Sequence, residues 1–278
     1  MIAAAKEKMA RKHVVLLRSS SSDRPLFIIP GTGGKTNYFQ QLALLLSDRY
    51  SVFGINLKGT EPREKPQHHV KDIASLLISW IRQVQPHGPY RFLSHCFGGN
   101  IAFEMALQLQ RRGEPTEFIA MMDGEAGNNL VPETTDTSAD AIRLIADYLN
   151  SFDILKPPYP EWVNDLRKEL SFLPINQMMP HVSAVLQKRI PSKKNAIRHV
   201  AHLVQVNLHH AQIVYAPLGK TSSEIYVFRP EGRQHEAEAL GWENHAGKIM
   251  IVQVPGDHHT MVIGKSAKLI AHHLGMRL

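Results

Sequence analysis

Apolar residues along this chain fall into short solid blocks, separated by longer stretches in which they recur at helical spacing. His13-Val14-Val15-Leu16-Leu17-Arg18 reads as a strand, and Ser19 to Asp23 as a turn-rich break before Pro25. Leu26-Phe27-Ile28-Ile29 then stops at Pro30-Gly31-Thr32-Gly33-Gly34, the way a strand buried on both faces passes into a tight loop. Tyr38 to Leu46 predicts a helix and Ser51 to Ile55 a strand. Val70 to Val84 predicts a helix, carried by Ile73, Leu76, Leu77, Trp80 and Ile81. Tyr90 to Leu93 (strand), Asn100 to Arg112 (helix) and Phe118 to Met122 (strand) continue the alternation. Such alternation predicts an α/β fold with a mostly parallel, doubly wound sheet.

From about Asn128 to Pro217 strands give way to helices, among them Ala139 to Ser151, Trp162 to Leu170 and Ala196 to Tyr215. This segment reads as a helical lid inserted into the sheet domain. Phe152, Trp162, Phe172 and Met178-Met179 there fit either an apolar channel or the plain packing of amphipathic helices. Strands return at Glu224 to Phe228 and Lys248 to Val252, and a helix from Ser266 to Leu274 closes the fold. The expected organisation is a linker and first strand over 1–24, core over 25–127, lid over 128–217, and core again over 218–278.

With 278 residues, 43% of them hydrophobic and 21% charged, the chain can bury one large core plus an insertion. No apolar run approaches the roughly 20 residues of a membrane helix. Met1 to Lys8 meets charge too early for a signal peptide, so a cytoplasmic location is expected. The single cysteine agrees with a reducing compartment. A net charge of +7 is spread out, with no basic run longer than doublets such as Arg111-Arg112 and Lys193-Lys194. Neither a nucleic acid nor a membrane is expected as partner; a mildly basic surface also suits an acidic protein.

The chemistry concentrates at Ser94-His95-Cys96-Phe97-Gly98-Gly99, between a strand and a helix. This is the pattern of a nucleophile elbow with cysteine at its centre, where the positions two before and two after must be small. Ser94 stands where glycine is usual and implies a more crowded turn. A lone cysteine is often an inert core thiol, but here a histidine partner and a helix N-terminus would both favour the nucleophilic thiolate. Hydrolases with such an elbow order their triads nucleophile, acid, histidine. Asp123 follows the next strand and is the preferred acid, with Glu125 as its neighbour. Pro255-Gly256-Asp257-His258-His259 follows the last strand, and either histidine fits the base. The loop Gly31-Thr32-Gly33-Gly34 and the residue after the nucleophile are where oxyanion donors sit, which selects the amides of Thr32 and Phe97. Neither a dinucleotide fingerprint nor a phosphate-loop Lys-Ser/Thr pair accompanies these glycines. The pairs His68-His69, His209-His210 and His272-His273 lack metal-ligand spacing and are assigned to surfaces; no metal is expected.

Pro25 to Gly34, Gln85-Pro86-His87-Gly88-Pro89-Tyr90 running into the elbow, Glu104-Met105-Ala106 after it and Pro255-Gly256-Asp257-His258 together resemble thioesterase domains of nonribosomal peptide and polyketide synthases, from about Val14 onward. The resemblance implies an α/β-hydrolase fold, Asp123 as acid and His258, rather than His259, as base. It also implies no resident cofactor, since the acyl or peptidyl thioester arrives on the phosphopantetheine of a carrier protein, expected in the same synthase. The start of the chain is similar to the linker and first strand of a terminal synthase domain. Cys96 would keep the transferred acyl group as an activated thioester, which suits closure of a lactone, lactam or small ring as well as hydrolysis. The rival expectations are a free-standing editing thioesterase, a small-molecule hydrolase resembling dienelactone hydrolase, and a binding module on an inactive hydrolase fold.

Overall fold

A computed structural model describes residues 12–22, 24–46, 48–61, 63–127, 137–233 and 237–276. The N-terminal stretch Met1 to Lys8 and the start of the insertion at Asn128 lie outside the described residues. Among the described residues seven strands form one sheet in the order β1-β3-β2-β4-β5-β6-β7. The strands are β1 (Val14–Arg18), β2 (Pro25–Ile29), β3 (Ser51–Ile55), β4 (Tyr90–His95), β5 (Thr116–Met122), β6 (Glu224–Pro230) and β7 (Ile249–Val254). β1 runs antiparallel to β3 at one edge, and every other pairing is parallel. This is the mostly parallel sheet that the alternation predicts, and it fits the α/β-hydrolase fold that the resemblance implies.

The apolar blocks of β2 and β4 have both faces covered. Leu26, Phe27, Ile28 and Ile29 are fully buried, and β4 is buried along its whole length. Each such side chain removed from water stabilises the fold by about 1.5–3 kcal/mol, which fixes β2 and β4 at the centre of the sheet. One face packs against α2 (Val70–Ile81) and α3 (Gly98–Gln110), through Ile73, Leu77, Ile101 and Met105 among others. The other packs against α1 (Gln40–Leu45) and the C-terminal helix Gly264–Met276.

β5 and β6 are adjacent although the insertion separates them in sequence, so the sheet closes without any strand from it. The chain divides into two compact units. One comprises residues 59–66 and 130–212, the other the remainder, where the sequence pattern placed the insertion at 128–217. Within the helical unit lie α4 (Thr137–Ser151), α5 (Trp162–Ser171), α6 (Ile175–Arg189) and α7 (Lys194–Ala211); the C-terminal helix is thus α8. That unit has its own core, into which Met178 and Met179 are buried, whereas Phe172 is 87% exposed and Phe152 also lies near the surface. The two methionines are therefore core residues.

The helix expected to run to Tyr215 ends at Ala211. Ile213 and Tyr215 are apolar for another reason: both are buried in the sheet domain's own core, where the Tyr215 hydroxyl donates to Glu104 at 2.9 Å. His210, expected at a surface, is fully buried. No helix among the described residues is long and apolar enough to cross a membrane.

Candidate active site

Cys96 stands between β4 and α3 with φ at 55°, a left-handed backbone that non-glycine residues rarely adopt. The turn is held by ladder bonds on either side. The Cys96 amide donates to the Met122 carbonyl at 2.9 Å, and the Gly99 amide to the Cys96 carbonyl at 2.8 Å. The thiol is half-buried, neither walled into the sheet nor fully in water. Phe97 caps α3 and Gly98 opens it.

The small flanking residues have identifiable reasons. A Cβ on Gly98 would come within 2.6 Å of the Ile29 and Pro30 carbonyl oxygens. Gly98→Ala should therefore displace the strand β2 backbone and destabilise the protein by about 1–3 kcal/mol, read as a lowered midpoint in thermal or urea unfolding. Ser94 departs from the usual glycine without clashing because its hydroxyl is buried and donates to the Ala120 carbonyl at 3.1 Å. The oxyanion loop lies against the elbow: a Cβ on Gly31, the residue before Thr32, would be 3.2 Å from Cys96 Cβ. The Gln85-to-Tyr90 motif sits at the far end of β4, where Gln85 donates to the His87 and Pro89 carbonyls at 2.8 and 2.9 Å. It sets how the strand begins and touches none of the chemistry.

Asp123 leaves the C-terminal end of β5 with φ at 47° and is 2% exposed. Its loop is pinned on three sides. The Gly124 carbonyl accepts from the Trp242 indole at 2.7 Å, the Ala126 amide donates to the Leu240 carbonyl at 2.8 Å, and the Gly127 amide donates to the Asn100 side chain at 2.9 Å. One carboxylate oxygen, Oδ2, accepts from His258 Nδ1 at 2.5 Å. A carboxylate only accepts, so Nδ1 carries a proton and Nε2 is the ring nitrogen left for the Cys96 sulfur, which is close enough to favour the charged ring. His258 sits on the loop after β7. Asp257 shapes this loop by accepting from the His259 and Thr260 amides, each at 2.9 Å.

Burial is the largest single influence on the His258 imidazole and opposes its charge. The hydrogen bonds to Asp123 and Cys96 and the attraction of both groups outweigh it, and the imidazolium persists to about 10. The structure thus brings Cys96, His258 and Asp123 together. Of the two alternatives, His259 is exposed and Glu125 is ion-paired with Arg233.

Three residues near this site escaped the sequence reading. Arg233, just beyond β6, holds its Nε 2.8 Å from Asp123 Oδ1, so the carboxylate lies between an imidazole and a guanidinium. Its signal was its place at a C-terminal strand end, the edge that also delivers Cys96, Asp123 and His258. The others are His95 and Tyr38, hydrogen-bonded to each other at 3.2 Å; nothing local in sequence marks their pairing.

Comparison with known proteins bears on the family and the fold. A family model described as "Thioesterase domain" matches residues 24–277. The chain is 34% identical over 131 residues to a dimodular nonribosomal peptide synthase of Bacillus subtilis, covering 47% of this chain and 6% of that protein. It is 26% identical over 275 residues to indigoidine synthase of Dickeya dadantii, covering 93% and 17%. The chain thus spans a small fraction of the length of these relatives. Among solved structures, a four-domain nonribosomal peptide synthetase, AB3403, superposes with a TM-score of 0.73 at 24% identity, over 96% of this chain and 21% of that one. The Vlm2 thioesterase domain bound with a dodecadepsipeptide superposes with a TM-score of 0.65 at 19% identity, over 96% and 98%.

Proposed function

The chain belongs to the thioesterase domain family, and on that premise we propose that it releases an acyl or peptidyl chain from the phosphopantetheine thioester of a carrier protein through a Cys96 acyl-enzyme. One observation carries the proposal: a partly buried sulfur at a left-handed elbow, close enough to raise the pKa of an imidazole that a buried carboxylate holds at 2.5 Å.

Cys96 Sγ attacks the thioester carbonyl carbon, and the negative charge that develops on its oxygen is received by the Thr32 and Phe97 amides. Collapse breaks the bond to the pantetheine sulfur, which leaves with the proton of His258 Nε2. Acylation removes the sulfur's own charge and hydrogen bond from beside His258, two of the influences that hold the ring protonated. The freed Nε2 then takes the proton of the second nucleophile and keeps it while Sγ leaves as thiolate and the product departs, which restores the starting pair. The bond to Asp123 keeps the proton of the ring on Nδ1 throughout, so the ring always presents Nε2 to the reacting atoms. No resident cofactor enters the sequence of steps, since the pantetheine arm belongs to the carrier. A net charge of +7 suits approach of an acidic carrier domain.

Because the intermediate is itself a thioester, little driving force is lost on loading, and an internal hydroxyl or amine of the bound chain can serve as acceptor in competition with water. The inserted helical unit is the lid in this reading. The test offers the enzyme an acyl-pantetheine thioester carrying an internal nucleophile, alongside the corresponding free ester, and analyses products by mass. Preferential consumption of the thioester with cyclic product is expected. Fast hydrolysis without cyclic product would remove ring closure, and faster cleavage of the free ester would remove the carrier-borne substrate.

A further inference from the structure

The residue before the nucleophile is tied to both loops that serve it. His95 ends β4 and is 7% exposed. Its Nε2 lies 2.8 Å from the backbone carbonyl oxygen of His258, and its Nδ1 lies 3.2 Å from the Tyr38 hydroxyl. That hydroxyl in turn accepts from the Gly31 amide at 3.1 Å.

A carbonyl oxygen can only accept, so Nε2 of His95 carries a proton, and in a neutral ring Nδ1 is then the acceptor. Every hydrogen in the chain then has a fixed direction: Gly31 N–H to Tyr38 Oη, Tyr38 O–H to His95 Nδ1, and His95 Nε2–H to the His258 carbonyl. The arrangement requires a neutral ring, because a proton on Nδ1 would oppose the Tyr38 O–H. The surroundings enforce this. Burial first, then the cation on His258, push His95 down to about 3, against the opposing influences of the His258 carbonyl and Asp123. The two imidazoles are close, with centroids 4.5 Å apart and planes 33° from parallel. A neutral ring tolerates an imidazolium at that distance, and a second cation would not.

We infer that His95 is a positioning residue. Its Nε2–H tautomer spans from the oxyanion loop at Gly31, through Tyr38, to the backbone of His258, and so sets where the His258 ring stands relative to Cys96. This rests on the triad proposed above but concerns a residue that touches no reacting atom. It explains why a polar, titratable side chain occupies a buried position beside the nucleophile, where an apolar one would pack without needing partners.

Two amides separate the two ring nitrogens. His95→Gln places an N–H donor near the Nε2 position and keeps the bond to the His258 carbonyl, whereas His95→Asn places its amide near Nδ1 and loses that bond. In release from an acyl-pantetheine thioester, His95→Asn should lower kcat about 30- to 100-fold with KM within about twofold, the scale of a misplaced catalytic group. His95→Gln should return to within about fivefold of the wild type, and Tyr38→Phe should fall about tenfold. The second readout needs no substrate: the pH profile of Cys96 alkylation by iodoacetamide reports the pairing of sulfur and imidazole. It should move in His95→Asn and return in His95→Gln, while thermal melts show which variants are folded.

If His95→Asn does not fold, the comparison of His95→Gln with Tyr38→Phe decides, and wild-type behaviour of Tyr38→Phe in both readouts would overturn the inference. Equal losses in folded Asn and Gln variants, or no loss in either, would overturn it as well. A wild type that alkylates at Cys96 with a histidine-dependent profile yet releases no acyl group would defeat the proposed reaction and leave the positioning role standing.

Discussion

Cys96→Ala is expected to lower acyl release by at least about a thousandfold while leaving the fold intact, because the variant deletes the atom that forms the intermediate. The side chain is half-buried in a turn held by backbone bonds, so loss of one sulfur does little to packing. Cys96→Ser separates the nucleophile from its site. A hydroxyl has the same reach but a far higher ordinary pKa, so the resting serine variant leaves His258 without the neighbouring negative charge that helps keep it protonated. That variant should retain part of the activity through general-base attack, and its intermediate should be an oxoester that resists neutral hydroxylamine where the thioester does not. Steady-state rates, melting curves and hydroxylamine treatment of the three forms check each clause. Undiminished turnover in Cys96→Ala would contradict the assignment.

Asp123→Asn should cost about a thousandfold in kcat, since an amide leaves His258 without its charged partner and permits the wrong tautomer. It should also change how stability depends on pH. With Asp123 and Cys96 beside it, His258 keeps its proton to about 10, against an ordinary value of 6.5. A raised histidine contributes stability that is fully present below the unfolded value and is lost as pH rises through the folded one. The wild-type melting midpoint should therefore decline between about 6.5 and 10, and Asp123→Asn should flatten that decline. The variant also leaves the Arg233 guanidinium, 2.8 Å from Asp123 Oδ1 in the wild type, without that carboxylate.

The parts of this site that were legible in the sequence are those that local sterics write into it. A left-handed residue at Cys96 demands small neighbours, and Gly98 supplies one because a Cβ there would strike two carbonyls of β2. Asp123 became a candidate because parallel strands present their functional groups at one edge and it directly follows an apolar block; the same edge offered His258 and His259, between which the family resemblance chose His258. Arg233 follows a strand in the same way, but an arginine after β6 looks like any surface charge until its guanidinium is seen beside a buried carboxylate. His95 and Tyr38 are 57 residues apart, and His95 and His258 are 163 apart. No period or spacing encodes such contacts; they exist only once the sheet has set its register. The same limit explains the misplaced helix end. Ile213 and Tyr215 carry apolar character at helical spacing from α7, yet they are buried because they return to the core of the sheet domain. Glu104, by contrast, entered as a motif residue, and its reason is the buried hydrogen bond from the Tyr215 hydroxyl.

The most direct test of the central claim is intact-mass analysis of the enzyme after brief exposure to an acyl-pantetheine thioester, followed by peptide mapping. A single acyl adduct on the peptide containing Cys96, released by neutral hydroxylamine and missing from Cys96→Ala, is the predicted result. Thioester turnover with no adduct on that peptide under single-turnover conditions, or an adduct that forms equally in Cys96→Ala, would contradict it.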